Sequence, residues 1–487
     1  MQSLRTALIG VIVGIAVAPG VAQTTRVVTL ANAVDEALAR NDRVINQRDT
    51  TQQAELGLQL ARNAFQPKVV PNILGSFGQT NVTSQTYRVD LAQRFTTGTE
   101  VRLGVGTATA QIPGQVGGLE DDIRFYNADT TLTLSQPLLK GFGPGVARRS
   151  LTSAELRRAD ADRQHTLTEQ QVAIDVVAAY YRVVAQQAFV GVARQSLDRA
   201  RKLRDASEAK LDAGLVSQLD VLRAQQLVAT AEMQLFDAQS TIEDAREQLL
   251  FLMGRASGES FDVVPTIPVP SQTPIDVQNA VDIALVNRLD LKSRLAETED
   301  ADRYLRFARN QLLPQVDVNL ALTRRRTTDT FSRSFGVDGF QFATFFTIAM
   351  PIDRTAQLVD FQNAVINRDR RKREITTIQR QIADDVRKAV RDRDRLLRNV
   401  IAANTSATIA RSEVEVAQLR YERGLSNNLD VVTAESGLLA AESRHIQALA
   451  DAAVGRLRLR ALLGVFNPRL DLDAGTPTAD PEAGVVP

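Results

Sequence analysis

The sequence has no cysteine and only two histidines. Thiol nucleophiles, thiolate-held zinc, disulfides and lipoprotein-type acylation of an N-terminal cysteine are therefore excluded, and imidazole-based metal sites have almost nothing to build on. It also lacks a surplus of charge: 58 basic side chains face 57 acidic ones for a net of +1, so no global positive field exists to hold nucleic acid. Long apolar runs are scarce. The stretch Ala7–Ala18 is too short to span a bilayer, and with Arg5 before it and the small residues Gly20 and Ala22 after it, residues 1–22 read as an export signal cleaved before Gln23. The most apolar later stretch, Val172–Ala193, is interrupted by Asp175 and Arg182, so any further membrane crossing is expected to be made of strands. Catalytic material is equally thin. His165 and His445 stand far apart on helical patterns without clustered partners, no Ser/His/Asp set can be drawn, and neither enzyme activity nor a metal or organic cofactor is expected.

The chain does contain a copy of itself. Asn32-Ala33-Val34-Asp35 returns as Asn279-Ala280-Val281-Asp282, and Ala61-Arg62-Asn63 with Pro67 returns as Ala308-Arg309-Asn310 with Pro314, all at an offset of 247 (279 − 32). Gly214-Leu215 and Leu219-Asp220-Val221 return as Gly424-Leu425 and Leu429-Asp430-Val431 at an offset of 210 (424 − 214). The chain is thus a tandem duplicate whose first half carries 37 additional residues (247 − 210) between the matched blocks.

Each half has the same order of elements. Val28–Gln66 reads as one helix ended by Pro67, and Pro274–Leu313 as its counterpart. The period then changes to two. Lys68–Phe77, Thr86–Phe95, Glu100–Ala108 and Phe125–Leu134 are four candidate strands in the first half, with Thr97-Gly98 as a hairpin turn; the second half has two, one through Val316–Leu322 and one through Phe340–Met350. Phe340, Phe342, Phe346 and Ile348 share one parity and are expected to face lipid. Very long helices follow. Val146–Ala213 has no proline and one glycine, and Arg354–Arg423 has neither, so each predicts a rod of about 100 Å at roughly 1.5 Å per residue. Leu167, Ile174, Tyr181 and Ala188, with Gln171, Ala178, Ala185 and Val192 between them, mark a seam with a 3.5-residue period. Gly214 and Gly424 break the rods, and a second helix runs back to Gly254 or Gly464.

The fold class that follows is mainly α, with long coiled-coil hairpins and strands that belong to a membrane β-barrel. The domain plan is a signal peptide at 1–22, a first repeat at 23–264 (strands 68–136, helical hairpin 146–254), a proline-rich linker at 265–274, a second repeat at 275–470 (strands 315–350, helical hairpin 354–464) and a polar tail at 471–487. So few strands cannot close a barrel within one chain, and open edges are not tolerated in lipid, so several copies must pool them. An oligomer that pools strands into a barrel and rods into a tube is a conduit.

The two-fold repeat, Ser135-Gln136-Pro137-Leu138-Leu139 followed by Gly141-Phe142-Gly143, and the Gly-Leu turns before Leu219-Asp220-Val221 and Leu429-Asp430-Val431 resemble the TolC-like outer-membrane efflux factors over about Val27–Leu470. The resemblance implies a homotrimer in outer-membrane lipid with a 12-stranded barrel and a periplasmic helical tunnel. It also implies a periplasmic adaptor and an inner-membrane transporter as partners, and passive passage of drugs, small molecules or polypeptide. Gly214, Leu215, Gly424, Leu425 and Ser426 then become the adaptor-docking tip, Tyr421 a gating tyrosine bonded to Asp220 of a neighbouring hairpin, and Asp220 and Asp430 acidic pore-lining residues. Ser426 stands where the family's tip carries an arginine, and Thr433 where it carries a second aspartate. A 12-stranded barrel has no room for the hairpin Thr86–Ala108, which is expected at the outer surface or beyond the bilayer, with Thr97 reachable from outside. The competing reading is a periplasmic coiled-coil scaffold or adaptor that never enters the membrane. Two other features read plainly: Gly141–Gly145, with no Gly-Lys-Ser/Thr after it, is a strand-to-helix bend, and the charge run Arg368–Arg373 is a solvated rod face.

Overall fold

The computed structural model describes residues 26–75, 83–112, 123–268, 273–334 and 339–473; the expected signal segment and most of the tail lie outside them. The protein is a bundle of long helices with one β-sheet at one end. A three-residue strand before the first helix, β1 (Arg26–Val28), pairs in parallel with another that closes the first half, β6 (Phe261–Val263), with Val28 opposite Val263. The rods are α4 (Arg149–Asp212, 64 residues) and α9 (Thr355–Glu422, 68 residues), about 96 and 102 Å long at 1.5 Å per residue. Each packs along a return helix, α5 (Gln218–Leu252) or α10 (Asn428–Leu462). Short helices α3 (Pro144–Ala147) and α8 (Phe331–Ser334) lie in connections, and α11 (Leu470–Asp473) follows the last return helix.

The helix expected over Val28–Gln66 is two helices, α1 (Leu30–Arg40) and α2 (Asp42–Asn63); its counterpart is likewise α6 (Val277–Asn287) and α7 (Leu289–Gln311). No glycine or proline marks either break. The cause is tertiary. Asn41 leaves the helical region at ψ 128° and Arg288 at ψ 123°. The glycines that end the two return helices, Gly254 (φ +70°) and Gly464 (φ +72°), press their bare Cα atoms onto those breaks. A Cβ on Gly254 would sit 2.7 Å from the Arg40 carbonyl oxygen, and one on Gly464 2.9 Å from the Arg288 nitrogen. The buried Asn41 amide completes the first joint by donating to Leu252 O at 2.8 Å while accepting from Arg43 N at 3.0 Å.

The main core gathers at this joint. Between Val172 and Ala185, α4 is buried on most sides, against α1, α5, α10 and the β1–β6 pair. The first rod is long and apolar enough in part to cross a membrane, but its most apolar part is more than half buried within the protein, as in a core helix. The narrow seam expected there is a wide buried sector. A strict alternation of three and four residues occurs nearer the far end, where Ala407, Ala410, Val414, Ala417 and Tyr421 of α9 are buried in succession.

At the other end lies a six-stranded antiparallel sheet in the order β2-β3-β4-β5-β7-β8. Its members are β2 (Lys68–Gly75), β3 (Thr83–Arg94), β4 (Glu100–Ile112), β5 (Ile123–Pro137), β7 (Gln315–Thr328) and β8 (Gln341–Ala349). The hairpin Thr86–Ala108 is therefore no appendage: β3 and β4 are interior strands, paired on both sides. Its turn also points the other way from expectation. Gly143 N donates to Thr97 O at 3.2 Å, and the Thr99 hydroxyl donates to the Gln136 side chain, so Thr97 lies at the helical end of the sheet and not at its outer end. The strand count inferred from resemblance misplaced this hairpin; backbone pairing places it.

Candidate functional site

Two regions carry the residues singled out in the sequence: the sheet and the far tip of the rods. In the sheet, the register aligns one apolar face across all six strands. Val69 stands opposite Leu91, Leu91 opposite Leu103, Leu103 opposite Leu132, Leu132 opposite Leu322 and Leu322 opposite Phe342. Phe346 and Ile348 join that face beside Val318 and Val316, whereas Phe340 precedes β8 and has no place in the ladder.

The opposite face is polar. Arg88 of β3 donates to Asp90 at 2.8 Å and to Asp129 of β5 at 2.9 Å. It reaches Asp129 by lying over β4, where Gly106 is the register partner of both residues. A Cβ on Gly104 would lie 2.3 Å from the Arg88 guanidinium, so the glycines of β4 make the space the arginine occupies. Pattern reasoning found the strands but missed this triad, because its members are separated by up to 41 residues (129 − 88) and meet only once the register is known.

At the tip, each rod ends in the same turn. Gly214 has φ +72° and Gly424 φ +69°. Leu215 N donates to Lys210 O and Leu425 N to Arg420 O, each at 2.8 Å, which are the long closing bonds of a left-handed glycine cap. Leu215 and Leu425 project as the most exposed apolar side chains there. Their surroundings differ. Ser217 and Asp220 form a reciprocal cap, with Asp220 accepting from Ser217 N at 3.2 Å and from its hydroxyl at 2.8 Å. Arg223 lies 3.5 Å from the same carboxylate. The equivalent turn is capped instead by Asn427, which accepts from Leu429 N at 3.1 Å, leaving Asp430 exposed in the first turn of α10. The Ser426 hydroxyl is buried without a hydrogen-bond partner.

The lock expected between Tyr421 and Asp220 is absent within the chain. The Tyr421 phenol is buried and shares a 2.8 Å hydrogen bond with the Ser207 hydroxyl of α4, which itself donates to Leu203 O. Lys210 caps the same tyrosine twice, donating to its carbonyl at 2.5 Å and placing its ammonium 4.0 Å from the ring centre. The second cross-link between hairpins comes from Asn428, whose amide donates to the Asp220 backbone carbonyl rather than to its carboxylate. Ser207 lies 214 residues from Tyr421, and no sequence signal pairs them.

Further along the rods, Glu435 of α10 is 2% exposed and accepts from Arg199 of α4 at 2.8 and 2.9 Å and from Gln418 of α9 at 3.0 Å. Burial pushes its carboxyl above the usual range, against the pull of the Arg199 guanidinium. His445 is shifted down, first by burial and then by Arg411, so it stays neutral near pH 7. Among the described residues no group of three His, Asp or Glu side chains converges on a metal position.

Compared with known proteins, the chain matches the family model described as outer membrane efflux protein over residues 33–255 and 280–465. The cobalt-zinc-cadmium resistance protein CzcC of Cupriavidus metallidurans is 22% identical over 368 residues, 71% of this chain and 79% of that protein. The alkaline protease secretion protein AprF of Pseudomonas aeruginosa is 22% identical over 358 residues, 72% of each. Among solved structures, the CmeC outer membrane channel of Campylobacter jejuni shares the fold with a TM-score of 0.67 at 15% identity, over 91% of this chain and 87% of that one.

Proposed function

The chain belongs to the outer membrane efflux protein family, and from that premise we propose that three copies form the passive exit duct of a tripartite efflux or type I secretion system. It is an outer-membrane channel with a periplasmic helical domain. The observation that carries the finer reading is the sheet: one continuous apolar face backed by one polar face, mounted on rods of about 100 Å. The apolar face fits lipid and the polar face a water-filled lumen, with Phe342, Phe346 and Ile348 of β8 against acyl chains. Only backbone pairing satisfies strand edges in lipid, so the sheet must close with other copies. A scaffold confined to the periplasm would leave that face exposed to water.

The glycine turns form the mouth remote from the membrane. Leu215 and Leu425, with Gly214, Gly424 and Ser426 around them, offer an adaptor an apolar tip repeated six times around a trimer, and an inner-membrane transporter would deliver cargo through the same mouth. Tyr421 holds the resting tip through Ser207. Asp430 is free to line the pore as a ring of three carboxylates, which favours cations, while Asp220 acts chiefly as a cap. Cargo differs between relatives, one named for metal cations and one for a protease, so it is set by the pump and not by this duct.

The test is mass and conductance together. The detergent-purified protein should have the mass of three copies and give cation-preferring channels in planar bilayers. Arginine at Phe346 should cost roughly 2–4 kcal/mol and sharply lower trimer yield. A monomeric, non-conducting species that tolerates Phe346→Arg overturns the reading.

A further inference from the structure

We propose that all six strands enter the membrane wall, and that the barrel closes by pairing β8 of one copy with β2 of the next. This inference rests on the trimer reading above, and it makes the wall one of eighteen strands, six from each of three copies.

The first ground is the hairpin itself. β3 has 12 residues and β4 has 13, against the roughly 9–11 that a tilted strand needs to cross a bilayer. Both carry the two-faced pattern of their neighbours, with Leu91 and Leu103 in the apolar row that runs from Val69 to Phe342. A hairpin lying outside the wall would have no reason to keep the wall's register or its facing.

The second ground is that the hairpin is fixed at two places. At the helical end, Thr97 and Thr99 bond to Gly143 and Gln136, and a Cβ on Gly98 would meet Gly141 O at 2.8 Å, so the turn is seated against the segment that leads into α3 and the first rod. In mid-sheet, Arg88 spans Gly106 to Asp129, joining β3 to β5 across β4 on the polar face. Removing the hairpin from the wall would break this ion pair and part β4 from β5.

The third ground is the edges. Every residue of β2 and of β8 is exposed in the single chain, unlike those of the interior strands, and each pairs with a neighbour on one side only. Unpaired N–H and C=O groups in hydrocarbon cost several kcal/mol each, so neither edge can stay open. The occupant that offers a complementary edge to both is another copy of this chain. Pro71, the one proline on β2, lacks a donor and sits on an outermost strand, where proline is tolerated. Barrel diameter grows about linearly with strand number, so the wall is about 1.5-fold wider than one of twelve strands.

The absence of native cysteine allows single-site labelling. Ala92→Cys and Leu91→Cys are neighbours on β3 that face opposite sides of the sheet, and Leu134→Cys on β5 is the control for the apolar face. In liposome-reconstituted protein, Ala92→Cys should react with a water-soluble maleimide at least tenfold faster than Leu91→Cys. A fluorophore at Leu91 or Leu134, but not at Ala92, should be quenched by brominated acyl chains, and a cryo-electron microscopy map should show eighteen strands. Equal labelling at Ala92 and Leu91 in a complex with the mass of three copies, or twelve strands with the hairpin outside, overturns the inference and leaves the trimer reading intact. A mass other than three copies overturns the trimer reading and the total of eighteen, and is read independently of the labels.

Discussion

The two hairpin tips share a backbone and differ in chemistry. Shifted by the repeat offset of 210 (424 − 214), Gly214 falls on Gly424, Leu215 on Leu425 and Asp220 on Asp430, and the turns close with the same bonds. By the same shift Ser207 falls on Ala417 and Leu211 on Tyr421, so the hydroxyl pair that joins Ser207 to Tyr421 has an apolar pair, Leu211 and Ala417, as its counterpart. Buried Glu435, which accepts from Arg199, likewise falls on Gln225, which bonds to exposed Glu208. Duplication preserved what the backbone needs and released the side chains. The polar contacts therefore mark only one of the two repeat-equivalent junctions.

The glycines give the sharpest way to break this comparison. Gly254→Ala or Gly464→Ala adds a positive-φ penalty and a backbone collision, and should lower trimer stability by about 3 kcal/mol. Gly214→Ala or Gly424→Ala meets nothing within 4 Å and should cost only about 1 kcal/mol. Heat-dissociation midpoints of the four variants, measured together, check both halves at once, and equal losses at all four sites would remove the distinction between joint and tip.

Next in size is Arg199→Ala, which strands the Glu435 carboxylate and should cost about 2–3 kcal/mol at pH 8. The sign with pH follows from burial. The folded-state carboxyl of Glu435 is raised, so its contribution is full below the ordinary carboxylate range and is lost as pH rises through the raised value. Midpoints at pH 5 and pH 8 should therefore diverge more in Arg199→Ala than in the parent, and least in Glu435→Gln. The repeat-equivalent change Gln225→Ala should show no such pH dependence.

At the tip, Tyr421→Phe and Ser207→Ala should each cost about 1 kcal/mol and raise channel opening, and the double variant should cost no more than either alone. Tyr421→Phe combined with Asp220→Asn should be additive, because these residues do not share a bond. The smallest effects separate the aspartates. Asp220→Ala loses a reciprocal cap and should cost about 1 kcal/mol. Asp430→Ala should cost under about 0.5 kcal/mol yet reduce cation selectivity in single-channel recordings.

What the sequence disclosed follows from the range of each interaction. The duplication, the rods and the glycine turns are written in spacings shorter than a helical turn or in exact offsets, and were legible. All six strands were legible from their period of two. The breaks at Asn41 and Arg288 were hidden, because no glycine or proline marks them and the contacts at each joint come from glycines far along the chain, at 254 and 464. The partners of Tyr421 and the reach of Arg88 to Asp129 were hidden for the same reason. Thr86–Ala108 is the instructive case: its residues announced two strands, and a twelve-strand template taken from resemblance left them without a place.

The sheet's connectivity also has a consequence in time. β2 to β5 follow one another along the chain, but β5 pairs next with β7, so Leu132 waits for Leu322, 190 residues later (322 − 132). The first four strands can zip as a local meander, whereas joining them to the last two requires the whole first rod, its return helix and the start of the second half to have been synthesised and exported. By the logic that links slow folding to distant contacts, the β5–β7 seam is the late step within the chain. Until it closes, β5 presents a long unpaired edge of the kind that nucleates aggregation.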